Sequence, residues 1–355
     1  MIPMTISQRR HAPVGRHAAR ARMRGLTLVE LMISMMLGLL VVGSASAIFI
    51  SNRQTYRATE GLGRVQENGR MAFEMMARDL REAGGSPCGN ARRNENKPLR
   101  LVNLINASTT RWWTNWNNGI SGYDGAIPLG SPANRVAATD ALDLMAGDSS
   151  SAATIAQHTT GSASIQLNTA DHGFSPADLA IACDWRHASM FQVTSVAGDV
   201  IQHQASGTPG NCSAGLGYAN AAVACVGPPR IKQFGPNPAD VRASATLVRM
   251  QPVRWYIGTS AAGRSLFRSA VVNDGGVLSV RNQEIAEGVN NMQLQYLLDG
   301  AAAYVDAAAV PANRWQEVVA VRVTLDLLSA DRAGVGGAQL QRRLAHTVAL
   351  RNRME

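Results

Sequence analysis

Groups able to do chemistry are few in this 355-residue sequence, and their spacing is not that of a catalyst. Of seven histidines, His11 and His17 precede the first apolar run, while His158, His172, His187, His203 and His346 are isolated and carry no local catalytic signature. There is no G-x-S-x-G elbow, G-x-x-x-x-G-K-[ST] phosphate loop, H-E-x-x-H zinc helix or D-x-[DN]-x-[DN]-G calcium loop. The Gly61/Gly63 and Gly215/Gly217 pairs lack the remainder of a dinucleotide fingerprint. A triad assembled only by folding would leave no local mark, but nothing in the residue order asks for one. The expectation is a non-enzyme with no cofactor and no metal. The four cysteines, Cys88, Cys183, Cys212 and Cys225, all follow the apolar run, and their even number points to two disulfides in an exported region. Three pairings are open. Nearness around a Gly-rich loop favours Cys212 with Cys225, leaving Cys88 for Cys183. A zinc site would need a second ligand pair, which Cys183 and His187 lack in the absence of any C-x-x-C.

One charge carries more information than all of these. Residues 26–50, LTLVELMISMMLGLLVVGSASAIFI, contain Glu30 and no other charged side chain. As a helix this run would be roughly 37 Å long, enough to cross a hydrocarbon core of about 30 Å. The arginines before it hold the leader in the cytoplasm and send everything after residue 50 outward. A carboxylate near the centre of such a helix costs about 2.5–3.5 kcal/mol on insertion scales. It must therefore sit at the membrane edge and reach water, or meet a positive partner.

The neighbours of Glu30 choose between these. Gly25-Leu26-Thr27-Leu28-Val29-Glu30-Leu31-Met32 resembles the prepilin cleavage box of type IV pilins and type II secretion pseudopilins. The resemblance implies that a prepilin peptidase cuts between Gly25 and Leu26 and methylates the new amine of Leu26, making Glu30 the fifth residue of the mature chain. The α-amine of a neighbouring subunit would then pair with Glu30 inside an apolar bundle, where an unpaired carboxylate would be costly. Family members usually carry Phe or Met where this chain has Leu26, and a large apolar side chain is retained. The competing reading is an ordinary signal peptide cut after Ala45-Ser46-Ala47. The internal charge, the long basic leader and the helical pattern beyond residue 50 oppose it.

That pattern continues through Ala58, Leu62, Val65, Gly69, Ala72, Phe73, Met76, Leu80 and Ala83, mostly in steps of three and four. Glu60/Arg64 and Glu74/Arg78 are acid-first pairs at helical spacing, and Gly84-Gly85 is a fitting stop. The spacing predicts one helix over 26–83, a membrane half followed by an amphipathic half, as in the pilin stem that it resembles. Gly61, Gly63 and Gly69 weaken the second half.

Beyond residue 85, 33 glycines and 14 prolines in the whole chain favour a turn-rich β region. Strands are predicted at 141–146, 164–168, 179–185, 190–196, 246–257, 265–272, 292–298, 318–328 and 345–351. The best of them alternates Val319, Val321, Val323, Leu325 and Leu327. In the irregular stretch before them, Trp112, Trp113, Trp116 and Tyr123 are either a stacking platform for a sugar or base or rings that pin a long loop to the core. The string Trp116-x-x-Gly119-Ile120-x-Gly122-Tyr123-Asp124-Gly125 resembles PilW-type minor pilins, and the closing run 347–352 resembles the last strand of that family and of J-type pseudopilins.

The formal charge of +9 gives little support to a nucleic-acid partner, because Arg9, Arg10, Arg16, Arg20, Arg22 and Arg24 lie in the leader and the remaining +3 is scattered. The chain thus reads as an α+β, pilin-like protein: leader 1–25, assembly helix 26–50, amphipathic extension 51–83 and a disulfide-bearing β-rich domain 84–355. The resemblance implies a single-pass inner-membrane precursor, its domain in the periplasm, that joins a pilus at its tip. Its partners would be other minor pilins, the major pilin, the prepilin peptidase/methyltransferase and the inner membrane. Alternatives are a J-type pseudopilin of type II secretion and a tip adhesin or DNA-uptake binder.

Overall fold

In the computed structural model, residues 25, 27–90, 100–106, 108, 110–125, 128, 130–218, 225, 229–237, 239–241, 243–332 and 334–353 are described. The leader through residue 24, and Leu26 itself, lie outside them. A single helix, α1 (Leu28–Glu82), runs for 55 residues, two residues inside the predicted start and one inside the predicted end. Gly84 follows at φ 68°, a conformation that glycine adopts without Cβ strain. The chain divides into a unit up to Thr55 and a second from Tyr56 onward; they are taken in turn, the second first.

In the second unit α1 buries Gly61, Val65, Gly69, Ala72, Met76, Ala77 and Leu80, the stripe that a 3.6-residue period requires. Gly61 occupies the place expected for Leu62, which is only half-buried. A Cβ on Gly69 would come within 2.6 Å of Leu344 and 2.9 Å of Leu327, so the helix cost of glycine is exchanged for close approach to the strands. Arg64 meets Glu60 at 2.6 Å as expected, whereas Arg78 reaches Glu82 at 3.5 Å rather than Glu74. Exposed pairs of this kind contribute little.

The principal strands are β1 (Arg100–Asn103), β2 (Ile120–Tyr123), β3 (Ala141–Thr159), β4 (Ser164–Leu167), β5 (Leu179–Cys183), β6 (His187–Gln192), β7 (Ser195–Ala197), β8 (Val200–Gln202), β9 (Thr246–Ser260), β10 (Gly263–Asp274), β11 (Val277–Glu287), β12 (Val289–Leu298), β13 (Val318–Leu328) and β14 (Gln341–Ala349). Among the described residues, eleven of them form one sheet in the order β1-β6-β5-β9-β3-β4-β8-β7, with β2 on β3 and the β10–β11 hairpin on β9. All its pairs are antiparallel except β1 with β6. The remaining three make an antiparallel sheet, β12-β13-β14. Val321, Val323, Leu325 and Leu327 point inward as their alternation predicts. Strand β11 was not predicted, because its outward residues show no apolar period; Gly275-Gly276, both at positive φ, turns the chain into it.

The α1 stripe, the inner face of β12–β14 and Val253, Trp255, Ile257 and Leu266 form one apolar core. Two further cores lie under the large sheet, one around Phe191, Phe234 and Leu247 and one around Trp112, Trp113, Ile181 and Met250. Cys88 pairs with Cys183 and Cys212 with Cys225.

Two polar groupings, the first half-buried and the second buried, lock these layers. Asp79, on the sheet side of α1, accepts the Trp255 indole N–H at 2.9 Å and the Arg268 guanidinium at 2.7 and 3.2 Å. In the second grouping, His158 and His203, isolated in sequence, meet Nε2 to Nε2 at 3.1 Å. Because His158 Nδ1 accepts the Phe234 N–H, neutral His158 carries its proton on Nε2 and donates it to His203. Burial, then the charge of Lys232, pushes His158 down to about 4; burial, then His158, pushes His203 down to about 3.

Asp79→Ala is expected to lower the unfolding free energy by about 2–4 kcal/mol, since it strands a partly buried guanidinium and an indole N–H; a loss under about 0.5 kcal/mol in thermal unfolding would contradict the anchor. The histidine pair makes stability pH-dependent with a definite sign. The folded state binds fewer protons than the unfolded one, whose histidines titrate near 6.5, so this contribution is complete above pH 6.5 and is lost as pH falls toward 4. The slope of Tm against pH in that window should flatten in the His158→Gln/His203→Gln double variant, whatever its absolute Tm.

Candidate functional site

The unit up to Thr55 carries the residues of the cleavage box. Thr27 caps the helix: its Oγ1 accepts the Glu30 N–H at 3.2 Å and its carbonyl accepts the Leu31 N–H at 3.1 Å. Thr27-x-x-Glu30 is the sequence form of a capping box, a signal that prediction from the apolar run alone passes over. Gly25 lies outside the helix. Leu26, the expected methylation site, falls outside the described residues. Glu30 sits in the first turn, where the helix dipole favours a negative charge.

Around it, Leu28, Val29, Leu31, Met32, Ile33, Met35, Met36 and Leu37 are exposed. The helix is long and apolar enough to cross a membrane by length and composition. Two of its hydroxyls are satisfied within the helix: Ser34 donates to the Glu30 carbonyl at 2.7 Å and Ser44 to the Leu40 carbonyl at 2.6 Å, as suits polar groups in lipid. Chemically the segment offers one carboxylate at a helix start, set in an otherwise apolar surface.

The aromatic stretch has a different role from a stacking platform. Trp112, Trp113 and Trp116 are 3, 4 and 9% exposed, so their ring faces are spent inside the protein and that reading is corrected. Trp112 and Trp113 lie in a short 3-10 turn, and Arg254 lies 4.6 Å over the Trp112 ring. Arg254 in turn grips Asp143 through two bonds of 2.5 and 2.7 Å, both side chains being buried. Tyr123, half-buried in β2, donates its hydroxyl to Asp143 at 3.0 Å. Burial first, and the Asp143 charge second, hold the Tyr123 phenol well above its ordinary range, so it remains a donor.

The glycines of the same string allow close contact. A Cβ on Gly119, at φ 81°, would collide with Gly84 at the end of α1, and one on Gly122 would collide with the Tyr296 hydroxyl. Asp124 accepts the N–H groups of Ala307 and Ala308. At the chain's end, Asn352 donates to the Glu82 carbonyl at 3.1 Å and the Arg81 carbonyl at 3.3 Å, while Arg353 binds the carbonyls of Trp315 and Asn118. The 112–125 string and the last residues thus converge on the C-terminus of α1, where Asn352 supplies donors for carbonyls that a helix end leaves open. Asp143, Arg254, Asp79 and Arg353 were not singled out from sequence; their partners are too distant along the chain.

Among the described residues no cluster of three or more His, Cys, Asp or Glu is placed to hold a metal ion. If the buried rings brace the fold, Trp112→Ala should cost about 3–5 kcal/mol in thermal unfolding, and a change within about 0.5 kcal/mol would show that the ring is dispensable.

Two comparisons bear on identity. Residues 20–46 match the prokaryotic N-terminal methylation motif, and residues 254–348 match the type IV pilus-assembly protein W family. No curated protein matches the chain. The first match spans Gly25, Thr27 and Glu30; the second begins at Arg254 and holds Trp255, Arg268, Tyr296 and strands β10–β13, the part of the β domain that covers α1 from Tyr56 on. The 112–125 string lies outside both. With a match to the methylation motif at its start and one to the PilW family over its helix-bearing core, the chain is similar to PilW-type, type IV pilus-related pilins.

Proposed function

We propose that this protein is a minor pilin, made as a membrane precursor, cut between Gly25 and Leu26, methylated on Leu26, and inserted into the initiating or tip complex of a type IV pilus. The observation that carries this reading is the capped start of α1: Glu30 is the one charge in the exposed apolar part of the helix, residues 28–50, one turn past a glycine that lies outside it. When the Gly25–Leu26 bond is hydrolysed, the Leu26 amine becomes a cation that the Glu30 carboxylate of a neighbouring subunit can accept. In an apolar bundle that pair fixes axial register, because any other register leaves a buried charge unpaired. The large β domain with its extended hairpins suits a terminal position better than a close-packed shaft.

The PilW match supports a pilus over a J-type type II secretion pseudopilin. No observation favours catalysis, and the buried indoles withdraw the support that the 112–125 rings offered to an adhesin. Glu30→Gln tests the pairing, because it removes the charge while keeping the size of the side chain and the backbone Glu30 N–H bond to Thr27. The variant is expected to be cleaved normally and to fall by at least roughly tenfold in sheared pili. Wild-type incorporation would overturn the pairing.

A further inference from the structure

A strand at the rim of a sheet leaves one row of backbone N–H and C=O groups without a ladder partner. Most rims of this protein are short or guarded. Among the described residues, β1, β2 and β7 are three or four residues long, β12 is bridged at Tyr296 by Val305, and β14 carries Arg342, Arg343 and His346. Strand β11 differs: it is eleven residues long and pairs only with β10. Its charges, Arg281, Glu284 and Glu287, lie in the part that returns to the domain. The part that follows the turn, Val277-Leu278-Ser279-Val280, has none and exposes Val277 at 67% and Val280 at 39%.

The edge is held in place before any partner arrives. Asn273 closes the Gly275-Gly276 turn by accepting the Gly276 N–H at 2.9 Å, and its amide donates to Asp178 at 2.7 Å and to the Pro176 carbonyl at 2.8 Å. Ser269 of β10 donates to Asn282 of β11 at 2.6 Å. Docking a strand here therefore costs little ordering of the receiving side.

We propose that residues 277–281 of β11 pair antiparallel with the same residues of a second copy of this chain, about a two-fold axis through Ser279. An open row of backbone donors and acceptors selects an extended strand as its occupant, and the side chains of this row are complementary to themselves. Centring on Ser279 sets Leu278 opposite the partner's Val280 and Val280 opposite the partner's Leu278, apolar cross-strand pairs of the kind that stabilise sheets. Both share a face with Val271, which opposes Val280 on β10 and packs with Leu278 on the core around Trp112 and Trp113. The pairing thus prolongs an apolar face that the fold already has. On the other face Val277 meets the aliphatic stem of the partner's Arg281. Centring on Asn282 would pair the whole strand, but it sets Val277 and Val280 against the partner's Glu287 and Glu284. The contact requires neither cleavage nor entry into a pilus, so it stands apart from the pilin reading.

The native cysteines are all in disulfides, so one added thiol reports the register. The full-length chain carrying Ser279→Cys is purified in detergent micelles and oxidised with copper–phenanthroline, and covalent dimer is read on a non-reducing gel. On the axis the two Cβ atoms are about 5 Å apart, and most of the chain should become dimer. Gln283→Cys, also exposed on β11, lies eight residues out of register, roughly 26 Å from its counterpart, and should give roughly tenfold less. Adding Val280→Lys to Ser279→Cys sets an ammonium against the partner's Leu278, and should cut the dimer by roughly fivefold or more. Association through the membrane helix alone would link the two thiols alike. Equal yields from Ser279→Cys and Gln283→Cys, no dimer from Ser279→Cys, or a yield unchanged by Val280→Lys would each overturn the proposal. So would a Ser279→Cys adduct with a different protein, in place of the homodimer, when native membranes are oxidised.

Discussion

The Asp79 carboxylate is where the amphipathic part of α1 is committed to the β domain. A stripe of glycine, alanine and a few larger apolar residues could slide or rotate against a sheet at modest cost, because small side chains interlock weakly. A carboxylate that must meet both an indole N–H and a guanidinium from two adjacent strands permits one register. Those donors come from β9 and β10, and β9 is also the strand that pairs with β3 and β5. The helix is thereby referenced to the middle of the large sheet rather than to its edge.

The other constraints follow from the same helix. Its C-terminal carbonyls need donors, and Asn352 provides them from the end of the chain, after the last strand has been laid against β13. Gly84 and Gly119 touch because neither has a side chain, which allows the 112–125 string to run beneath the helix end and bring Tyr123 to the buried Asp143–Arg254 pair. Such a pair is a weak source of net stability and a strong source of specificity, since removing either partner leaves an uncompensated charge. The family match begins at Arg254, and its segment largely coincides with the residues that hold α1 from Tyr56 onward. The rest of the β domain, with its two disulfides and two further cores, is an elaboration on that frame.

Much of this was legible where residues announce themselves locally. Glu30 stands out as a lone charge in an apolar run, the helix follows from spacing and from Gly84, and β13 from its alternation. Strand β11 was hidden because almost all its side chains face solvent, leaving only the Gly275-Gly276 turn as a clue. The tryptophan trio reads identically whether the rings are exposed or buried, and only the fold assigns them to the core while leaving Trp185 outside. Asp79 and its partners are 176 and 189 residues apart, and His158 and His203 are 45 apart. No local pattern predicts such meetings. Thr27 is the one miss that sequence could have yielded, since Thr-x-x-Glu before an apolar run is a capping signal.

The account turns on whether the chain is opened after Gly25, because that cut creates the amine on which Glu30 depends. Intact mass and N-terminal sequencing of the protein from its native membrane measure this directly. The account predicts a chain beginning at N-methylated Leu26. A chain that retains its leader, or one that begins at Ile48 after signal-peptide cleavage, would contradict it.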